Sequence, residues 1–195
     1  LPIAEAIRLS TDVGSALQYA HHQGVIHRDI KPENILIHQG IALVSDFGIS
    51  FFASADASNR LTQRGVVVGT PYYMSPEQAA GERILDARTD IFALAAVSYE
   101  MLTGEPPFTG ATAGAVFAKM ATQKPTPIAV TRPGVPRRTE TAILRALSAN
   151  PADRFATMAE FTTALATPEP VEARTSTRTK LLTAATAATA VAVAA

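Results

Sequence analysis

The stretch VIHRDIKPENILI, Val25 to Ile37, sets a basic pair, two acids, a lysine, an asparagine and a proline between two apolar runs. Upstream, Ile3, Ile7, Val13, Leu17 and Ala20 recur at helical spacings, predicting one amphipathic helix from Leu1 to His22 that stops at Gly24. Downstream, NILIHQGIALVSD places the apolar runs Ile35–Ile37 and Ile41–Val44 around His38-Gln39-Gly40, the pattern of a β-hairpin. The charged stretch is therefore expected on a loop between a long helix and a hairpin.

Further along, residues 49–68 mix Ser, Ala, Asn, Thr and Gly without a sustained period, which predicts a long exposed loop. TDIFALAAVSYEMLT, Thr89 to Thr103, is apolar nearly all round, as a helix buried mid-domain must be, and GEPPF ends it. Helices are also predicted at Ala113–Thr122, Thr139–Ala149 and Thr157–Ala166, the last opening on a capping box from Thr157 to Glu160. After Leu165 the composition turns polar and rich in Pro and Thr, and Leu181–Ala195 is a charge-free run of Ala, Thr, Val and Leu. The expected class is α+β, mainly helical, with one small hairpin.

At 195 residues and 47% hydrophobic content the chain is long enough for one packed core. A domain of this size buries about 70% of the surface its unfolded chain exposes. Seventeen basic and seventeen acidic residues balance to a formal charge of zero, which gives no support to a nucleic-acid partner. The absence of cysteine excludes disulfides, thiolate zinc sites and a cysteine nucleophile, and fits a reducing cytoplasm. The four histidines, His21, His22, His27 and His38, have no metal-ligand spacing.

Chemistry therefore has to come from local arrangement. Asp46-Phe47-Gly48 directly follows the second strand of the hairpin, and Asp29 and Asn34 lie in the loop before it. Taken singly, these are residue types that cap ordinary turns. Together, Asn34 and Asp46 supply oxygen ligands that suit Mg²⁺ held against phosphates. Asp29 is left to accept a proton from a hydroxyl, and Lys31 adds a positive charge beside a transferred phosphoryl group.

HRDIKPEN and DFG, with GTPYYMSPE (Gly69 to Glu77), DIFALAAVSYEMLTGEPPF and NPADRF (Asn150 to Phe155), occur in the order and spacing of protein-kinase motifs. Over Leu1 to Ala166 the chain resembles the bacterial Hanks-type, PknB-like serine/threonine protein kinases, specifically their helical C-terminal lobe. The resemblance implies that Asp29 is the catalytic base, that Lys31 contacts the γ-phosphate, and that Asn34 and Asp46 hold Mg²⁺ or Mn²⁺. It implies that Thr70 binds substrate and, with Lys31, marks serine/threonine specificity. It makes Glu77 and Arg154 a buried ion pair, sets Asp90 to brace the backbone at His27 and Arg28, and has His27 support Phe47 of the Phe47-Gly48 pair. Thr62, ahead of Ser54, Ser58 and Thr70, is the expected regulatory phosphosite, paired with Arg28. Arg64 stands where a second phosphothreonine is common, Ser75 replaces the alanine of the family's APE motif, and Ala95 stands where the central helix usually carries glycine.

The 195 residues contain no GxGxxG loop, no VAIK-like lysine and no helix glutamate to pair with it. The resemblance assigns these to an N-terminal lobe, absent from this sequence, that covers the phosphates of ATP, so this chain alone is expected to be inactive. The expected organisation is a partial kinase domain at 1–166, a juxtamembrane-like linker at 167–180 and the start of a transmembrane helix at 181–195. That run is shorter than the roughly 20 apolar residues a bilayer requires, but it follows the basic residues Arg174, Arg178 and Lys180. The implied partners are ATP, a protein substrate, a membrane tether and a kinase homodimer, with the kinase domain cytoplasmic and anchored at the plasma membrane. Two rivals stand beside this: a truncated pseudokinase acting as a protein-binding module, and a small-molecule phosphotransferase of kinase-like fold. The second leaves Lys31, the SPE segment and the Arg154 motif unexplained.

Overall fold

A computed structural model describes residues 1–47 and 71–167. Helix α1 (Ile3–His22) starts directly after Pro2 and buries Ala6, Leu9, Val13, Leu17 and Ala20, the stripe that the helical spacing demands. Strands β1 (Ile35–His38) and β2 (Ile41–Val44) pair antiparallel with Ile35 opposite Val44 and His38 opposite Ile41. The two residues between them, Gln39 (φ 50°) and Gly40 (φ 79°), both have positive φ. That is the primed turn whose twist matches the strands, and Gly40 adopts it without a Cβ penalty.

Six more helices follow among the described residues: α2 (Pro76–Ala79), α3 (Arg88–Thr103), α4 (Ala113–Thr122), α5 (Ile128–Thr131), α6 (Arg137–Ala146) and α7 (Met158–Ala166). Helix α3 is the axle of the core. Its Ile91, Phe92, Leu94, Ala95 and Ala96 are wholly buried, and it packs on α1, α5, α6 and α7. Each fully buried Leu, Ile or Phe contributes about 1.5–3 kcal/mol over an exposed one. Ala95, at the position where the resemblance puts glycine, is part of this close packing. Helix α1 lies between α3, β2 and α7. It meets α7 so closely at Gly14 that a Cβ there would collide with Cγ2 of Thr162.

Some boundaries differ from expectation. Helix α6 runs two residues further toward the N-terminus than predicted and ends at Ala146, because Leu147 turns out of helical geometry (φ −84°, ψ 10°). The chain is then free to enter the 3₁₀ turn Pro151–Asp153, where Asn150 Oδ1 accepts from Ala152 N at 3.0 Å. At α7, Thr157 Oγ1 accepts from Glu160 N at 3.2 Å, but Glu160 Oε2 accepts from Ala156 N at 3.1 Å, not from the cap residue. The complete capping box occurs instead at α2, between Ser75 and Gln78. Helices α2 and α5, four residues each, are too short for periodicity to reveal.

Gly48, Thr62, Thr70 and the predicted loop at 49–68 lie outside the described residues, as do almost all of the linker and the charge-free run at 181–195. No helix among the described residues is long and apolar enough to cross a membrane.

Candidate active site

The loop from Val25 to Lys31 is held by its apolar side chains and its backbone. Ile30 is buried in the core and His27 is fully buried. Arg28 has φ 69°, a left-handed conformation that costs a non-glycine residue about 1–3 kcal/mol and so must be held from outside. Asp90, near the start of α3 and fully buried, holds it. Its Oδ2 accepts from His27 N at 2.8 Å and its Oδ1 from Arg28 N at 2.8 Å. His21 Nε2, from the end of α1, also reaches Asp90 Oδ2 at 2.7 Å.

His27 connects this brace to the second acidic site. Its Nε2 donates to the Ser45 carbonyl at 2.8 Å and its Nδ1 accepts from Asp29 N at 3.3 Å, so both ring nitrogens are used. Its ring lies 4.6 Å from that of Phe47, tilted by 57°. Asp46, like Arg28, has positive φ (61°), so the two segments that carry the candidate catalytic acids both contain strained backbone.

The polar groups converge above this support. Asp29 Oδ2 accepts from Lys31 Nζ at 2.8 Å and from Asn34 Nδ2 at 3.1 Å, while Asn34 Nδ2 also donates to the Asp29 carbonyl at 2.7 Å. The Asn34 side chain is positioned by the 3₁₀ turn Pro32–Asn34 that leads into β1. Ser45 links it to the neighbouring acid: Ser45 N donates to the Asn34 carbonyl at 3.0 Å and Ser45 Oγ donates to Asp46 Oδ2 at 3.1 Å. Asp29, Lys31 and Asn34 are thus bonded to one another, and Ser45 joins them to Asp46.

This donor set suits a hard divalent cation. With Nδ2 of Asn34 turned onto Asp29, its Oδ1 takes no hydrogen bond among the described residues, and Asp46 adds carboxylate oxygens from an exposed position. No group of three His, Cys, Asp or Glu among the described residues could hold a metal. Such oxygen donors suit a hard divalent cation that keeps several waters and takes the rest of its shell from substrate phosphates.

Below the site, Arg154 and Glu77 join the segment before α7 to α2. Arg154 Nη1 donates to Glu77 Oε1 at 2.7 Å and Nη2 to Oε2 at 2.8 Å, with both side chains buried. Its remaining donors reach the carbonyls of Ser148, Arg88 and Ala149, which satisfies all five N–H groups of the guanidinium. Burial alone would push the Glu77 carboxyl up, but hydrogen bonds and charge from Arg154, with a bond from Thr89 Oγ1, hold it below its ordinary value of 4.5. Nearby, Tyr73 OH donates to Glu100 Oε2 at 2.5 Å. Burial, that hydrogen bond and the charge of Glu100 push the phenol well above its ordinary range.

Sequence reading did not single out His21, Ser45, Gln78 or the Tyr73–Glu100 pair. Only Gln78 carried a local signal, as the fourth residue of Ser75-x-x-Gln78.

A family model described as the protein kinase domain matches residues 1–171. The chain is 44% identical over 162 residues to the serine/threonine-protein kinase PknB of Mycolicibacterium smegmatis, covering 82% of this chain and 26% of that protein. It is 44% identical over 154 residues to a probable serine/threonine-protein kinase PknB of Bifidobacterium longum, covering 78% of this chain and 22% of that one. The chain therefore spans about a quarter of the length of these relatives. Among solved structures, it resembles that of Rad53 residues 1–466 in complex with AMP-PNP, with TM-score 0.67 and 23% identity over 84% of this chain and 40% of that one; this likeness concerns the fold. With its loop, its hairpin and its buried Glu77–Arg154 pair, the chain belongs to the protein kinase domain family.

Proposed function

We propose that the protein of which these residues are the C-terminal lobe is a serine/threonine protein kinase, moving the γ-phosphoryl group of ATP to a protein hydroxyl. The observation that carries this reading is the convergence on Asp29 Oδ2 of Lys31 Nζ and Asn34 Nδ2. A carboxylate, an ammonium and an amide share one hydrogen-bonded unit there, which supports reading them as base, phosphate-contacting cation and metal ligand. Asp29 accepts the proton as the hydroxyl oxygen bonds to the γ-phosphorus and the bond to the β-phosphate oxygen breaks. Lys31 exchanges its bond to Asp29 for one to the transferred phosphoryl group. Asn34 and Asp46 would hold a divalent ion, which would neutralise phosphate charge when bound. Thr70 contacts the acceptor segment, and phosphorylation of Thr62 orders the loop through Arg28.

The test restores a nucleotide-covering lobe by fusing that of a PknB relative to residue 1. The fusion should autophosphorylate, and Asp29→Asn should reduce its rate by about 10²–10⁴-fold, the usual size of a lost general base. Residues 1–195 alone should turn over negligibly; Asp29-dependent turnover without the added lobe would refute that half. A second reading is a non-catalytic binding module. It is favoured if the fusion fails to bind MgATP in calorimetric titration.

Membrane tethering through residues 181–195, after a linker at 167–180, belongs to the same proposal. Fusing the run to a reporter and fractionating membranes tests it. Recovery of the reporter wholly in the soluble fraction counts against the tether.

A further inference from the structure

We infer that Gln78 is a positioning residue for phosphoryl transfer, fixing the catalytic loop from the side of the substrate segment. The inference rests on the kinase reading above. Arg28 has a strained backbone at φ 69°. Asp90 holds one side of the residue through the Arg28 N–H at 2.8 Å. The other side is held by Gln78, whose Nε2 donates to the Arg28 carbonyl at 2.7 Å across fifty residues of sequence. Asp29 is the next residue in the chain, so the residue that leads into the base is gripped on both sides.

The orientation of the Gln78 amide is set independently. Its Oε1 accepts from Ser75 N at 3.0 Å and from Ser75 Oγ at 3.2 Å, and Ser75 Oγ accepts from Gln78 N at 3.4 Å. This is the capping box of α2, and it leaves the Gln78 NH₂ group free to point at Arg28. The serine that replaces the family's alanine thus anchors the amide at its oxygen end, while the amide nitrogen grips the loop. Ser75 and Glu77 lie in the segment that resembles the peptide-binding motif, so the residue that orients Asp29 is tied to the element expected to seat the acceptor.

A capping box accepts Glu as well as Gln at its fourth position. Gln78→Glu therefore keeps the cap and removes only the donor to Arg28, setting a carboxylate oxygen against a carbonyl. In the 195-residue chain, the variant should keep the protected Ser75 amide while the amide resonances of Asp29 and Ile30 shift. Ser75→Ala, which loses the hydroxyl's bonds but keeps the backbone donor to Gln78 Oε1, should lower Tm and shift those two resonances less than Gln78→Glu does. In the fusion described above, Gln78→Glu should lower kcat about 10- to 100-fold, the range for a misaimed catalytic group, with KM for ATP within about twofold. A purely structural glutamine would not give that split. Should Glu at this position prevent folding, Gln78→Met is measured the same way. Either arm unmoved overturns the assignment. If the unsubstituted fusion has no turnover, the kinase reading fails by itself, and the resonance arm decides whether Gln78 clamps the loop.

Discussion

Two ion pairs of the same chemical kind stand in this lobe and are built in opposite ways. Glu77 and Arg154 meet in two parallel bonds, with both side chains buried and every guanidinium N–H occupied. Asp29 and Lys31 meet in one bond at 2.8 Å, with side chains 32% and 26% exposed. The first pair has nowhere else to go: separating it strands a charge in the interior. The second can exchange partners with an incoming phosphate and hydroxyl at small cost, because water already reaches both members. Permanence and exchangeability are set by burial and by the number of satisfied lone pairs, not by the identity of the charges.

Breaking the buried pair should have the largest effect. Arg154→Ala is expected to lower unfolding free energy by about 3–5 kcal/mol, measured by urea denaturation, because Glu77 is left buried without its counter-charge. A loss below about 1 kcal/mol would erase the contrast drawn here. Arg154→Lys should recover only part of that loss, since a single ammonium cannot reproduce the two-pronged contact or the three carbonyl bonds.

Acid sharpens the same comparison. The folded state holds the Glu77 carboxyl below its ordinary value of 4.5. Its contribution is therefore fully present above 4.5 and fades as pH falls through the lower folded value. Glu77→Gln should flatten that part of the stability–pH curve while lowering the plateau at neutral pH; an unchanged acid limb would mean that other carboxylates dominate it.

The exposed pair gives the smallest effect on folding. Lys31→Ala should change stability by less than about 1 kcal/mol, since half-exposed single-bond pairs contribute little. The same variant in the fusion should lose activity out of all proportion to stability. Equal losses in both would make Lys31 a structural residue.

How much of this was legible in the sequence follows from the range of each interaction. Helix α3 could be read because burial on all sides leaves an unbroken apolar run, and the hairpin because Gln39-Gly40 sits between two short apolar segments. The site could be read where motif residues adjoin in sequence, as Asp29, Lys31 and Asn34 do. Helices α2 and α5 were invisible because a single turn carries no period. The positive φ of Arg28 and Asp46 was hidden because neither residue is glycine, the usual sign of such a conformation. The Gln78 amide bond to Arg28 and the His21 contact to Asp90 link residues far apart in the chain, and each side chain reads locally as ordinary helix surface.

The left-handed backbone at Asp46 has a consequence for how this lobe responds to random mutation. At φ 61° the chain prefers glycine, whereas the proposed chemistry requires a carboxylate. A library screened only for heat resistance should therefore enrich Asp46→Gly, more stable by up to about 1 kcal/mol, and the survivors should be catalytically dead when joined to a nucleotide lobe. Under the proposed role of Asp46, selection for durability and selection for turnover pull this position in opposite directions.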